Sequence, residues 1–421
     1  MTERLLQYIW QFQYFNRHDL SVSDGAVLQI IHPGKYNTNQ GPDFLEASIK
    51  IDTTILVGSI ELHINTSDWN KHGHQSDDNY KNVILHVVWL HDGADQPPSV
   101  PLLDLQSRVS ALLLNQYEEW MQQSLFIPCA VTVKDAGTLV WLAWTERLLA
   151  ERLQRKSDYI LQLLNAGNSH WEETCWQLLA RNFGMHVNAE AFESIARSLP
   201  ISLLAKHKNQ VIVLEALLLG QAGLLEESFT DDYAQLLQRE YRFLQHKYAL
   251  VKPAVTVYFL RMRPAAFPSI RLAQLAMLVH RSTHFFAVIK EATSLNEIIK
   301  LLNITANDYW HYHYRPGVIS DYKIKNLGSS MLNNIVINTV VPVLFCYGLY
   351  HKEQKLIDKA LQWLSETAAE KNSIVNGWQQ LGIAGKDAYQ SQALIELKTQ
   401  YCDKRRCLDC AVGNALLKKN V

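Results

Sequence analysis

Residues 39–88 read NQGPDFLEASIKIDTTILVGSIELHINTSDWNKHGHQSDDNYKNVILHVV, and this stretch decides how the N-terminal part of the chain folds. Two apolar runs, Phe44–Ile51 and 55–64, flank the polar Asp52-Thr53-Thr54, which is the pattern of a β-hairpin. Strand side chains alternate between faces, so Glu61 and His63 share one face while Ile60, Leu62 and Ile64 share the other. Asp43 follows Gly41-Pro42 at the mouth of the first run. A polar segment then carries Asp68, His72, His74 and Asp77. Residues 83–89, with His86 among them, form a continuous apolar run of the kind buried on both faces of a sheet.

Upstream of this stretch, Leu5, Leu6, Ile9, Trp10 and Phe12 follow helical spacing, and residues 26–31 make a short strand closed by a turn at Pro33-Gly34. A short helix is expected over 76–81, after which Pro97, Pro98 and Pro101 break the pattern. The order is helix, three strands, helix, strand. From about residue 140 the character changes to leucine-rich segments at helical spacing, recurring around 172–183, 188–198, 211–226, 232–248, 269–290, 295–303 and 353–370 without a fixed repeat. The stretch from Arg261 through Pro264 and Pro268 to Arg271 opens one of these helices. The chain is therefore expected to be α+β over 1–130, followed by a larger all-α domain over 138–421.

A chain of 421 residues with 48% apolar and 19% charged side chains has the composition of a globular protein with room for two cores. The net charge of −1 rules out a globally basic surface, so any phosphate-binding surface must be a local patch. The N-terminus MTERLLQYIWQF lacks the basic start and small-residue cleavage site of a signal peptide. The longest apolar stretch, about 335–350, contains Asn338 and Pro342 and reads as too short to cross a bilayer. Six cysteines in so long a chain do not form a disulfide framework, and a reducing cytoplasm is the expected setting, with no membrane partner.

Two groups of side chains carry chemistry. Asp43 and Glu61 on adjacent strands are the carboxylates that Mg²⁺ or Mn²⁺ uses beside phosphate oxygens, and His63 can orient or deprotonate a water there. His72, His74, Asp77 and His86 are auxiliary candidates for substrate or metal, and His72, His74 and Asp77 could alternatively hold Zn²⁺. The second group is Cys402-x4-Cys407-x2-Cys410, three thiols within nine residues. This spacing suits Zn²⁺ or an iron–sulfur cluster, with Cys129 the first candidate for a fourth ligand.

Pro42-Asp43 and Glu61-Leu62-His63 resemble the motif of the restriction-endonuclease-like superfamily, Pro-Asp followed by Asp/Glu-x-Lys, with His63 in place of the lysine. The same departure is found in relatives similar to very-short-patch-repair endonucleases, where histidines follow the second strand as His72 and His74 do. It leaves His63 open as a base, a metal ligand or a relic of lost activity. The whole chain is also similar to a bacterial family, domain-of-unknown-function family 2851. That likeness rests on LLQYIWQF (5–12), NQGPDF (39–44), GSIELHINTSDWNKHGH (58–74), YKNVILHVVW (80–89), FPSIRLAQLA (267–276) and YCDKRRCLDCAVGN (401–414). The superfamily resemblance implies a restriction-endonuclease-like core and a metal-dependent nuclease acting on DNA or RNA through Asp43, Glu61 and His63. The alternatives are a nuclease-fold binding module without turnover and a His/Asp zinc hydrolase acting on another substrate.

Overall fold

The computed structural model describes residues 1–74, 77–93, 100–166, 170–260 and 262–419. Of the sequence expectations, Ser76, Pro97, Pro98 and Arg261 lie outside these residues. The chain is α+β and divides into two compact units, Met1–Trp144 together with Leu397–Val421, and Thr145–Glu396.

The first unit holds a six-stranded mixed sheet. Its strands are β1 (Leu28–His32), β2 (Lys35–Tyr36), β3 (Phe44–Ile51), β4 (Thr54–Asn65), β5 (Val83–Leu90) and β6 (Leu102–Asp104). The order is β1-β3-β4-β5-β6, with β2 paired to β3; β1, β3 and β4 run antiparallel, while β4, β5 and β6 run parallel. The hairpin stands where the alternation put it, with Phe44 opposite Ile60 and Ile51 opposite Thr54. Its outer half is not core, however, since Ile55 and Val57 are exposed. From Gly58 to His63 every residue of β4 is buried.

Helix α1 (Glu3–Phe12) packs on β4, begun by a Thr2 hydroxyl that accepts from the Leu5 amide. Leu5, Leu6, Ile9 and Trp10 are buried as the spacing predicts, but Phe12 ends the helix partly exposed. Parallel pairing of β4 and β5 requires a crossover, which contains a short helix α2 (Asp68–Lys71) and a 3₁₀ turn at Asp78–Tyr80. The latter falls inside the short helix expected over 76–81. Gly58 permits the return, since a Cβ there would lie 2.4 Å from the Asn82 carbonyl oxygen and 2.6 Å from Ile84 Cγ2. Strands β2 and β6 were not anticipated. They are two and three residues long, and β6 begins directly after Pro101, whose carbonyl accepts from the His86 amide.

Leu397–Val421 joins the sheet-bearing unit rather than the helical domain in which the sequence pattern had it. Long-range polar contacts hold it there: Arg4 to Asp409, Tyr14 to Asn414, and Arg405 to carbonyls of Trp120 and Gln123.

The second unit is almost wholly helical, with the helices Trp171–Phe183, Met185–Ser198, Val211–Gln221, Asp232–Lys247, Pro268–Arg281, Phe285–Glu291, Leu295–Leu302 and Gln354–Glu366 close to the expected segments. Pro268 stands at the first turn of its helix, where a missing amide costs no bond. The helical run Ser329–His351 has 23 residues and a mean hydropathy of 1.6 over its most apolar window, 72% of which is buried inside the protein. It is longer than the sequence reading allowed. Pro342 does not break it, because the preceding turn Val336–Val340 widens to π geometry and the Lys156 ammonium group donates to the Ile337 carbonyl (3.2 Å) and the Asn338 side chain (2.9 Å).

Candidate metal centre on the mixed sheet

The centre is built from the buried half of the hairpin. Asp43 precedes the Phe44–Ile60 pair, which sets it against Glu61 on the next strand. The two residues then hold each other. The Asp43 amide donates to Glu61 Oε2 (3.1 Å), and the Leu62 amide donates to Asp43 Oδ2 (3.1 Å). The second Asp43 oxygen accepts from the Gln7 side-chain amide on α1 (2.8 Å), and Gln7 is itself held by the Tyr36 hydroxyl (3.2 Å).

His63 stands two residues along β4 on the face of Glu61, as the period of a strand requires, with its Nε2 3.6 Å from Glu61 Oε1. Its Nδ1 lies 2.9 Å from Nε2 of His86 on β5. Its Nε2 lies 3.2 Å from His72 Nδ1 and 3.3 Å from His74 Nε2. His74 Nε2 is also 3.4 Å from Glu61 Oε1, and the Tyr80 ring stacks on His74 at 3.8 Å between centroids. One ring nitrogen each from His63, His72 and His74 lie within 4.8 Å of one another. Trp69 is a core aromatic, buried with Val83 and Val100.

Burial governs the charge of this cluster. Glu61 is 5% exposed, His63 1% and His86 fully buried, whereas His72 is open to solvent. Loss of water pushes the carboxyls of Glu61 and Asp43 well above the usual range, and the charge of Asp43 raises Glu61 further. The same desolvation, with His86, His74 and His72 nearby, pushes His63 down to about 3. Burial followed by His74 takes His86 to about 4. At neutral pH His63 and His86 are unprotonated, so the contact of His63 with Glu61 is not an ion pair. Among the described residues, no Lys or Arg side chain hydrogen-bonds or ion-pairs with Asp43 or Glu61. The charge of Arg4 acts on Asp43 only as a minor influence.

A buried and a half-buried carboxyl, neutral imidazoles and no cationic partner among the described residues make a donor set that fits a divalent cation. His86 Nδ1 is buried without a hydrogen-bond partner, while its Nε2 faces His63. Of the auxiliary residues, His72, His74 and His86 converge on His63. The Asp77 carboxylate caps the 3₁₀ turn through the Asn79 amide (2.9 Å) and reaches His74 and Tyr80 through its charge alone. Gln7 and Tyr80 were missed. Neither sits in a recognisable motif, and Gln7 meets Asp43 across 36 residues of chain.

A family model described as "Protein of unknown function (DUF2851)" matches residues 3–373. The chain belongs to this family. No curated protein and no solved structure matches it.

Proposed function

We propose that this DUF2851 protein is a divalent-metal-dependent phosphodiesterase acting on DNA or RNA, built on a restriction-endonuclease-like core. The observation that carries the reading is the convergence of Asp43 and Glu61: the Glu61 carboxylate accepts from the Asp43 amide, the Asp43 carboxylate accepts from the Leu62 amide next to Glu61, and His63 stands beside Glu61. The order of α1, the antiparallel β3–β4 hairpin, a crossover and the parallel β5 is consistent with that core.

Asp43 and Glu61 would hold the ion, Mg²⁺ or Mn²⁺. When bound, it supplies Lewis acidity toward a phosphoryl oxygen and a more acidic water. Gln7 and the Leu62 amide orient the Asp43 carboxylate, and the buried β4 segment keeps bulk water from Glu61. With its pKa near 3, His63 is a poor proton acceptor at neutral pH. It acts through its Nε2 as a ligand or as an acceptor that orients water.

A second reading has its own observation. The grouping of His63, His72 and His74, with Glu61 Oε1 close to two of them, would suit Zn²⁺ and hydrolysis of another substrate. In that reading His63 takes the role given to Asp77 on sequence grounds.

The deciding experiment incubates the full chain with single- and double-stranded DNA and with RNA, in EDTA, Mg²⁺, Mn²⁺ or Zn²⁺. Cleavage that needs Mg²⁺ or Mn²⁺ and is lost in Asp43→Ala and Glu61→Ala is expected. Salt-sensitive binding with no cleavage in any metal would overturn the enzymatic reading in favour of a binding module. Hydrolysis restricted to Zn²⁺ and to other substrates would favour the three-histidine site.

A further inference from the structure

We propose that Cys129, Cys402, Cys407 and Cys410 form a four-thiolate site for an iron–sulfur cluster of the [4Fe–4S] class. The inference does not depend on the reading of the sheet centre.

All four cysteines line one small pocket, together with Pro128, Tyr401, Arg406 and Gly413. They reach it from two places far apart in sequence, and each approach is shaped. Cys402 ends a π-helical turn, Leu397–Cys402. Arg405 then adopts a left-handed backbone conformation (φ 51°), and its guanidinium group donates to the carbonyls of Trp120, Met121 and Gln123 at the end of α3 (Ala111–Gln122). This clamp folds the segment back. A 3₁₀ turn, Cys407–Asp409, brings round Cys407, and Cys410 caps the helix Ala411–Lys418.

Gly413 lies inside that last helix. A Cβ there would stand 2.3 Å from the Cys407 carbonyl oxygen, so the glycine exists for the close approach of the cysteine loop. Asp409 is anchored on both sides, by Arg4 (2.5 Å) and by Arg406 (3.1 Å). Cys129 comes from the turn after Ile127, its carbonyl bound by the Thr132 amide (3.1 Å).

The chemistry of the lining matches an anionic cluster. Cys129, Cys407 and Cys410 are buried, and Cys402 is half-buried. Arg406, in the pocket lining, sets a cation beside a cluster of net negative charge.

The spread of the sulfurs separates a cluster from a single ion. Tetrahedral zinc at about 2.3 Å from each sulfur brings the sulfurs to about 3.8 Å from one another. Among the described residues, the one group of three or more ligand atoms within 4.8 Å of each other is the histidine trio of the sheet. No three of the four sulfurs lie mutually within 4.8 Å, a spread that favours a polynuclear cluster over one zinc ion. Binding releases the four thiol protons and leaves four thiolate–iron bonds.

The test uses full-length protein purified without oxygen, assayed for iron, acid-labile sulfide and zinc, with visible absorption and electron paramagnetic resonance after reduction. About four iron and about four sulfide per chain are expected. Cys129→Ser and Cys407→Ser should each lose that content, whereas Cys175→Ser and Cys346→Ser, in the helical unit, should keep it. Circular dichroism separates loss of the cluster from loss of the fold, and the metal content of the unsubstituted protein stands whatever the variants do. About one zinc per chain without sulfide, no metal after anaerobic reconstitution with ferrous iron and sulfide, or a cluster that survives Cys407→Ser would each overturn the proposal.

Discussion

Glu215 offers the most quantitative test of the helical unit. It sits in the middle of the apolar helix Val211–Gln221 with no exposed surface. One carboxyl oxygen accepts from the Tyr233 hydroxyl (2.8 Å), which in turn accepts from the Asn307 side chain (2.7 Å). The other oxygen is buried, with the Trp310 indole acting on the carboxyl beside it. Burial pushes this carboxyl from the ordinary 4.5 up to about 7. The folded chain therefore keeps a proton that the unfolded chain gives up. The stability this confers is complete below pH 4.5, declines as pH rises toward 7, and stays lost above it. At about 1.4 kcal/mol per pH unit, a rise of about 2.5 units is worth roughly 3 kcal/mol. Glu215→Gln keeps the shape and an oxygen for Tyr233, and it removes the charge. Its extra amide hydrogens find no acceptor, which costs about 1 kcal/mol at all pH values. The variant should be about 1 kcal/mol less stable than the parent at pH 4 and roughly 2 kcal/mol more stable at pH 8. Urea unfolding followed by circular dichroism at a series of pH values measures both. Parallel pH profiles for the two proteins, or a variant still less stable at pH 8, would refute the reasoning.

The sheet centre and its scaffold make three further predictions. Gln7→Ala frees the Asp43 carboxylate without touching the ion, and it should weaken Mn²⁺ binding by about 10–100-fold in a calorimetric titration, against a larger loss for Asp43→Ala. Unchanged affinity in Gln7→Ala would mean that Asp43 needs no positioning. His63→Lys should lose metal affinity if Nε2 is a ligand and retain cleavage if the residue only orients water. A His63→Ala variant with full cleavage would remove the residue from the site altogether. Gly58→Ala drives a Cβ into the Asn82 carbonyl and should lower stability by about 1–3 kcal/mol in thermal unfolding, and a neutral result would show that β5 can shift to admit it.

Much of the first unit was legible because its signals are local. Alternation over 44–51 and 55–64, the Asp52-Thr53 turn and the helical stripe of α1 each report on neighbours a few residues away, and the elements formed there. The same alternation set Glu61 and His63 on one face, and the hairpin register alone brings Asp43 to Glu61. Helical spacing in the second unit was readable for the same reason. The length of Ser329–His351 was not, since Pro342 signals a break that a half-buried Lys156 from a distant helix offsets.

The sequence by itself determined which residues could carry chemistry, and the tertiary structure decided which of them meet. His72 and His74 meet His63, and Asp77 does not, because the crossover between β4 and β5 turns one part of the polar segment inward and uses the rest as a cap. Gln7 reaches Asp43 only because α1 packs on β4. The C-terminal cysteines join Cys129 because Arg405 finds three carbonyls at the end of α3, some 280 residues earlier. Backbone periodicity acts over a few residues and is written in composition. Convergence of distant side chains depends on which surfaces bury one another when the whole chain collapses, and no local pattern records that choice.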